Sequence, residues 1–180
     1  MEKVIEVLRN GGIILYPTDT TWAIGCDARN ETACQRLQKL TGVSEGMILL
    51  SDGFPMVERY IPDFPEVCYD LVDFATKPLT IIYPNAKELA PQVLGKDGSA
   101  GFRITNDPIC LKLIRSIRKP LVATGIPSGH GWLCRKFDDI PEHLLNQVDA
   151  VVSERQNEKM KPLSQIIKIG LGGEVNVLRK

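Results

Sequence analysis

The spacing of apolar residues switches between a helical period and a strand period along the chain, and the switches predict the elements. Val4, Ile5, Val7 and Leu8 stand at helical spacing, and Gly11-Gly12 stops that helix before a buried strand, Ile13-Ile14-Leu15-Tyr16. Asn30 is placed to cap a second helix whose apolar face is Ala33, Cys34, Leu37 and Leu40, with Gly42 as its terminator. Met47 to Leu50 reads as a short strand. Pro55, Pro62, Pro65 and Pro78 then restrict residues 53 to 78 to short, bounded helices.

Leu79-Thr80-Ile81-Ile82-Tyr83 is the clearest strand, β-branched and ended by Pro84-Asn85. Gly101 to Ile104 is another. Asp107-Pro108 starts a helix with Ile109, Cys110, Leu113, Ile114 and Ile117 as its buried stripe. Leu121-Val122-Ala123 reads as a strand leading into a polar, Gly-rich loop from Thr124 to Gly131. Val148 to Val152, Ser164 to Ile169 and Glu174 to Leu178 read as closing strands. Helices alternate with strands early and strands dominate late, which predicts one α/β domain over residues 1 to 180 with a mixed sheet.

Composition narrows the function classes. The 180 residues carry 22 basic and 22 acidic side chains, so no global field selects a polyanionic partner. Five cysteines without CxxC spacing argue against a disulfide framework and a zinc site, and fit a reducing, cytoplasmic setting. No signal peptide and no bilayer-length apolar run is seen, so no membrane partner is expected. P-loop, GxGxxG and HExxH motifs are absent. His130 and His143 are too far apart and unaccompanied to suggest a metal site or a triad.

Three stretches invite chemistry. After the first strand the chain presents Pro17, Thr18, Asp19, Thr20 and Thr21 beside Trp22. Hydroxyls at such a strand end either hold a ligand or satisfy local backbone, and both readings stand. Arg103 interrupts the apolar strand Gly-Phe-Arg-Ile-Thr, and if its face is covered it needs an anion, because an unpaired buried guanidinium is costly. Lys112, Arg115, Arg118 and Lys119 follow on the 107–118 helix and its end, where they fit either phosphates or plain solvent.

These residues carry a family resemblance. "GGIILYPTDTTWAIGCDARN" resembles the opening of the YrdC family, the threonylcarbamoyl-AMP synthases, which read close to "YPTDTVYGLGCDA". "KPLTIIYP", "GSAGFRITND", "KPLVATGIPSG" and "PLSQIIKIGLGGEVNVLRK" are similar to later family segments, in the same order. The resemblance implies a YrdC-like twisted mixed sheet with flanking helices and a broad concave face. It implies condensation of L-threonine, bicarbonate and ATP with Mg²⁺ to threonylcarbamoyl-AMP, for tRNA threonylcarbamoyladenosine modification. It also implies tRNA or double-stranded RNA as a partner, and a non-catalytic binding paralogue is the alternative.

Carried onto this chain, the resemblance places Thr18, Thr20, Trp22, Arg103, Thr124 and Ser164 at the substrate, with Arg103 on the threonine carboxylate. Ser99 and Ser128 fall on the nucleotide side, and no residue is assigned as catalytic or as a metal ligand. Departures concern the phosphate side. The family Lys-x-Arg after the second helix aligns with Thr41 and a gap, Ser-Ala-Asn has become Gly125-Ile126-Pro127, a histidine has become Ser51, and a glycine has become Ala23. Lost cations predict weakened ATP binding.

Overall fold

A computed structural model describes residues 1–43, 46–128, 133–160 and 163–180. The chain runs α1 (Glu2–Arg9), β1 (Ile14–Pro17), β2 (Trp22–Gly25), α2 (Glu31–Thr41), β3 (Ile48–Ser51), α3 (Phe54–Tyr60) and α4 (Val67–Asp73). It continues through β4 (Leu79–Tyr83), β5 (Ala100–Ile104), α5 (Pro108–Ile117), β6 (Leu121–Val122), β7 (Thr124–Gly125), α6 (Glu142–Leu145), β8 (Ala150–Val151), β9 (Gln165–Ile169) and β10 (Val175–Arg179). Local chemistry sets several ends. The Asn30 side chain accepts from the Ala33 amide, and Gly42 closes α2 at φ 71°, a left-handed conformation that glycine adopts without a Cβ clash. The Asp107 carboxylate accepts from the Ile109 and Cys110 amides at the start of α5.

Two mixed sheets form instead of the one expected. Six strands order as β10-β9-β4-β5-β3-β6, and four as β7-β2-β1-β8. The difference arises at Trp22 to Gly25, expected to be loop, which pairs antiparallel with β1 from Pro17↔Trp22 to Ile14↔Gly25. Its partner is the strand just before it in the chain, so the intervening hydroxyl residues make a hairpin turn. β6 joins the large sheet beside β3, and Thr124–Gly125, expected to begin a loop, forms β7 and joins the small sheet beside β2. Ala123 lies between them, its amide donating to the Ile48 carbonyl at 2.8 Å. The Tyr16 hydroxyl donates to the Val122 carbonyl at 2.6 Å, tying the sheets where they meet. The four-residue helix α6 had no clear periodicity to announce it.

Alternation along the large sheet decides where the core ends and the site begins. Ile81, Tyr83 and Phe102 are buried on one face, where Tyr60 of α3 stacks on Phe102 with ring centroids 6.1 Å apart. Burying each such ring stabilises the fold by roughly 2–3 kcal/mol. The other face presents Thr80, Ile82, Gly101 and Arg103, and it borders two open depressions. Among the described residues, no helix is long and apolar enough to cross a membrane.

Candidate functional site

The β1–β2 turn folds onto the face of β5. The Thr18 hydroxyl donates to the Thr21 carbonyl at 2.7 Å and accepts from the Thr20 and Thr21 amides at 3.0 and 3.1 Å. One side chain thus fixes the turn, and Thr20 Oγ1 lies 3.1 Å from Thr18 Oγ1. Against this turn stands Arg103, only 3% exposed. Its Nη2 donates to Asp19 Oδ1 at 3.0 Å and to Thr20 Oγ1 at 3.2 Å, while Nε is buried without a partner.

A second guanidinium arrives from the far edge of the sheet. Arg179 on β10 donates from Nε to the Ser164 carbonyl at 2.8 Å and from Nη2 to Ser164 Oγ at 3.1 Å. Ser164 Oγ in turn lies 2.9 Å from Thr80 Oγ1. Burial first, and then the Arg103 charge, hold the Arg179 pKa below its ordinary value, so the two cations feel each other. Thr18, Thr20, Arg103, Ser164 and Arg179 line one cavity of about 50 Å³. Two guanidiniums with one carboxylate leave this small, hydroxyl-lined space positively charged, which suits an anion.

A larger depression of about 410 Å³ adjoins it, sharing Ile48 as a wall. Thr80, Ile82, Ser99, Gly101, Lys168 and Leu178 line it, so it is mostly apolar with a charged rim. Lys168 donates to Asp97 on that rim, and this bond, with those from Ser99, holds the Asp97 carboxyl well below the usual carboxylate range.

The structure brings Thr18, Thr20, Arg103 and Ser164 together around the small cavity and puts Ser99 on the larger one. It does not bring the others. Trp22, expected as a flat wall, is turned fully into the core, edge-on to Phe137 at 5.1 Å. Thr124, expected at the substrate, alternates away: its neighbours Ala123 and Gly125 line the cavity, whereas Thr124 pairs opposite the core residue Ile24. Ser128 lines neither space. His130 lies outside the described residues. The basic run beyond Arg103 is also divided, since Arg103 is buried and Lys119 pairs with Asp27 at 2.7 Å.

Sequence reasoning did not put Arg179 in this site. Its signal was the same as that of Arg103, an arginine in an apolar strand, Val-Asn-Val-Leu-Arg. At the departures, the Thr41 hydroxyl donates back to the Leu37 carbonyl at 2.9 Å. Lys39 lines a separate depression with Arg36 and Asn146, so it brings no charge to the cavity. Among the described residues, no group of three or more His, Cys, Asp or Glu could hold a metal ion.

A family model for the Sua5, YciO and YrdC proteins, described as "Telomere recombination", matches residues 6–180. The chain belongs to this family. A threonylcarbamoyl-AMP synthase of Stutzerimonas stutzeri is 29% identical over 178 residues, covering 97% of this chain and 95% of that protein. The fold is that of E. coli YciO, with a TM-score of 0.82 at 23% identity over 98% of this chain and 86% of the other. P. abyssi Sua5, solved in complex with L-threonine, gives a TM-score of 0.78 at 21% identity over 92% of this chain. The chain spans about half of that Sua5, 49% of its length. The YrdC resemblance found in the motifs therefore extends to the fold.

Proposed function

We propose that this chain condenses L-threonine, bicarbonate and ATP to threonylcarbamoyl-AMP for tRNA modification, with a turnover well below that of a family member with an intact Lys-x-Arg. The observation that carries the reading is the pair Arg103 and Arg179, facing one hydroxyl-lined cavity, with Arg103 alone paired to a carboxylate, that of Asp19. A threonine carboxylate is the anion that the resemblance supplies, and the synthase relatives and the threonine-bound Sua5 support it. Arg103, held rigid by Asp19 and Thr20, orients the carboxylate. Arg179 offsets charge on the carbamate, and Thr18 keeps the turn in place.

The nucleotide fits the larger depression across Ile48, with Ser99 as a polar contact. ATP supplies the α-phosphorus that the carbamate attacks, with pyrophosphate leaving. Any magnesium is carried on the phosphates, in keeping with the donor set among the described residues. The reaction belongs in the cytoplasm, where ATP and reduced thiols coexist.

Thr41 favours a second reading, a paralogue that binds without catalysis. Its hydroxyl is spent on the end of α2 where the family places a lysine, and Gly125 and Pro127 stand where the family places a serine and an asparagine. Each lost charged contact is worth about 1.5–3 kcal/mol, so the missing lysine and arginine of Lys-x-Arg slow turnover about 100- to 30,000-fold. Threonine-dependent pyrophosphate release from the purified protein tests the proposal. Slow release that rises when Lys-x-Arg is inserted after Leu40 supports it. No release, with threonine binding intact, selects the second reading.

A further inference from the structure

Away from both cavities, the start of α3 and the end of α5 enclose a depression of about 470 Å³. Arg59, Arg115 and Arg118 line it over a floor that includes Pro55 and Met56, and Asp52 is its one carboxylate. The Arg115 Nε lies 3.6 Å from Asp52 Oδ2, an exposed and loose pairing of little worth. Arg59 and Arg118 have no carboxylate partner among the described residues, and the depression therefore carries a surplus of about two positive charges. In a chain whose 22 basic and 22 acidic residues balance, that surplus is local. Arg118 also sits in the left-handed region at φ 55°, as the residue that ends α5. Glycine would take that conformation with less strain, by about 1–2 kcal/mol, so the side chain is present at a structural cost.

We propose that this depression holds a phosphate group, clasped by the guanidiniums of Arg59, Arg115 and Arg118. Guanidinium forks match two phosphate oxygens at once, and three of them converging from two helices present more donors than one carboxylate can use. The site shares no lining residue with the Arg103 cavity or the Ser99 depression. It is therefore independent of the proposed synthase reaction. Arg59 lies 56 positions before Arg115, which is why the basic run on α5 alone did not reveal the site.

The phosphate belongs either to an RNA backbone or to a small phosphate ligand, and two measurements separate these sources. Anisotropy of a labelled RNA duplex of about 20 base pairs, between about 50 and 200 mM KCl, reads the first. Thermal unfolding with millimolar inorganic phosphate reads the second. In the RNA case the R59Q/R115Q/R118Q variant loses at least about tenfold in affinity, its log–log salt slope falls by about 1, and D52N binds more tightly than the parent. In the small-ligand case phosphate raises the parent's Tm but not the triple variant's, and RNA does not bind. All three arginines are exposed, so the variant keeps the parent fold, checked by circular dichroism, and its pyrophosphate release is unchanged. Binding of RNA or phosphate that the triple substitution leaves intact overturns the proposal, as does the absence of both.

Discussion

Arg103 donates to Asp19 at 3.0 Å across 84 positions of sequence, and the pair is almost closed to solvent on the arginine side. The carboxylate takes only one guanidinium nitrogen, and Nε remains buried without a partner. A fully compensated structural pair would engage both. This geometry neutralises the arginine enough to bury it and keeps donors free for a ligand.

Threonine binding follows from that arrangement. Arg103→Ala abolishes the heat of L-threonine binding, a loss of about 2–3 kcal/mol, and also destabilises the fold by leaving Asp19 uncompensated. Arg179→Gln leaves Asp19 paired, so it weakens binding at nearly parental Tm. Isothermal calorimetry with parallel thermal melts separates the two effects. Heat unchanged in both variants would remove the cavity from consideration.

The turn has its own test. Thr18→Ala strips one oxygen from two amides and a carbonyl, costing about 1–3 kcal/mol of stability and threonine affinity with it. Thr18→Ser keeps that oxygen and recovers most of both, as urea denaturation will show. Equal losses would mean that the methyl packing, not the hydroxyl, holds the turn.

Gly25→Ala strikes the junction of the sheets. A Cβ at this position would stand 1.8 Å from the Val122 carbonyl oxygen, which is backbone and cannot yield. The sheets must separate locally, at a cost of several kcal/mol, with little soluble protein recovered. A parental Tm in this variant would show that the junction is looser than described.

Acid sensitivity has an identifiable contributor. Asp149 accepts from Arg36 and from the Ile13 amide at 2.7 Å, and these bonds, Arg36 first, lower its pKa. A depressed carboxyl stabilises the fold above its unfolded pKa of about 3.9, and that stability disappears as pH falls through the lower folded value. Tm measured from pH 6 down to about 2.5 therefore falls less steeply in Asp149→Asn than in the parent below about pH 4, while the variant starts lower at pH 6. Parallel curves would assign the acid loss to other groups.

Much was decided locally. The Asn30 and Asp107 caps, the Gly42 stop and the β-branched run Leu79 to Tyr83 act within a few residues, so their elements were legible in the sequence. Arg103 announced its need for an anion for the same reason: two-residue alternation separates it from Phe102 without reference to the rest of the chain. What the tertiary structure decided was convergence. Trp22 to Gly25 became a strand because β1 was there to pair with it, and that pairing turned Trp22 into the core. Arg179 reaches the cavity of Arg103 because β9 and β4 stand between β10 and β5 in the sheet order, across 76 positions of sequence. Arg59 meets Arg115 and Arg118 because the start of α3 and the end of α5 border one depression. Periodicity fixes which face a side chain takes, but sheet order and packing fix which faces meet, and charges act through that distance in space.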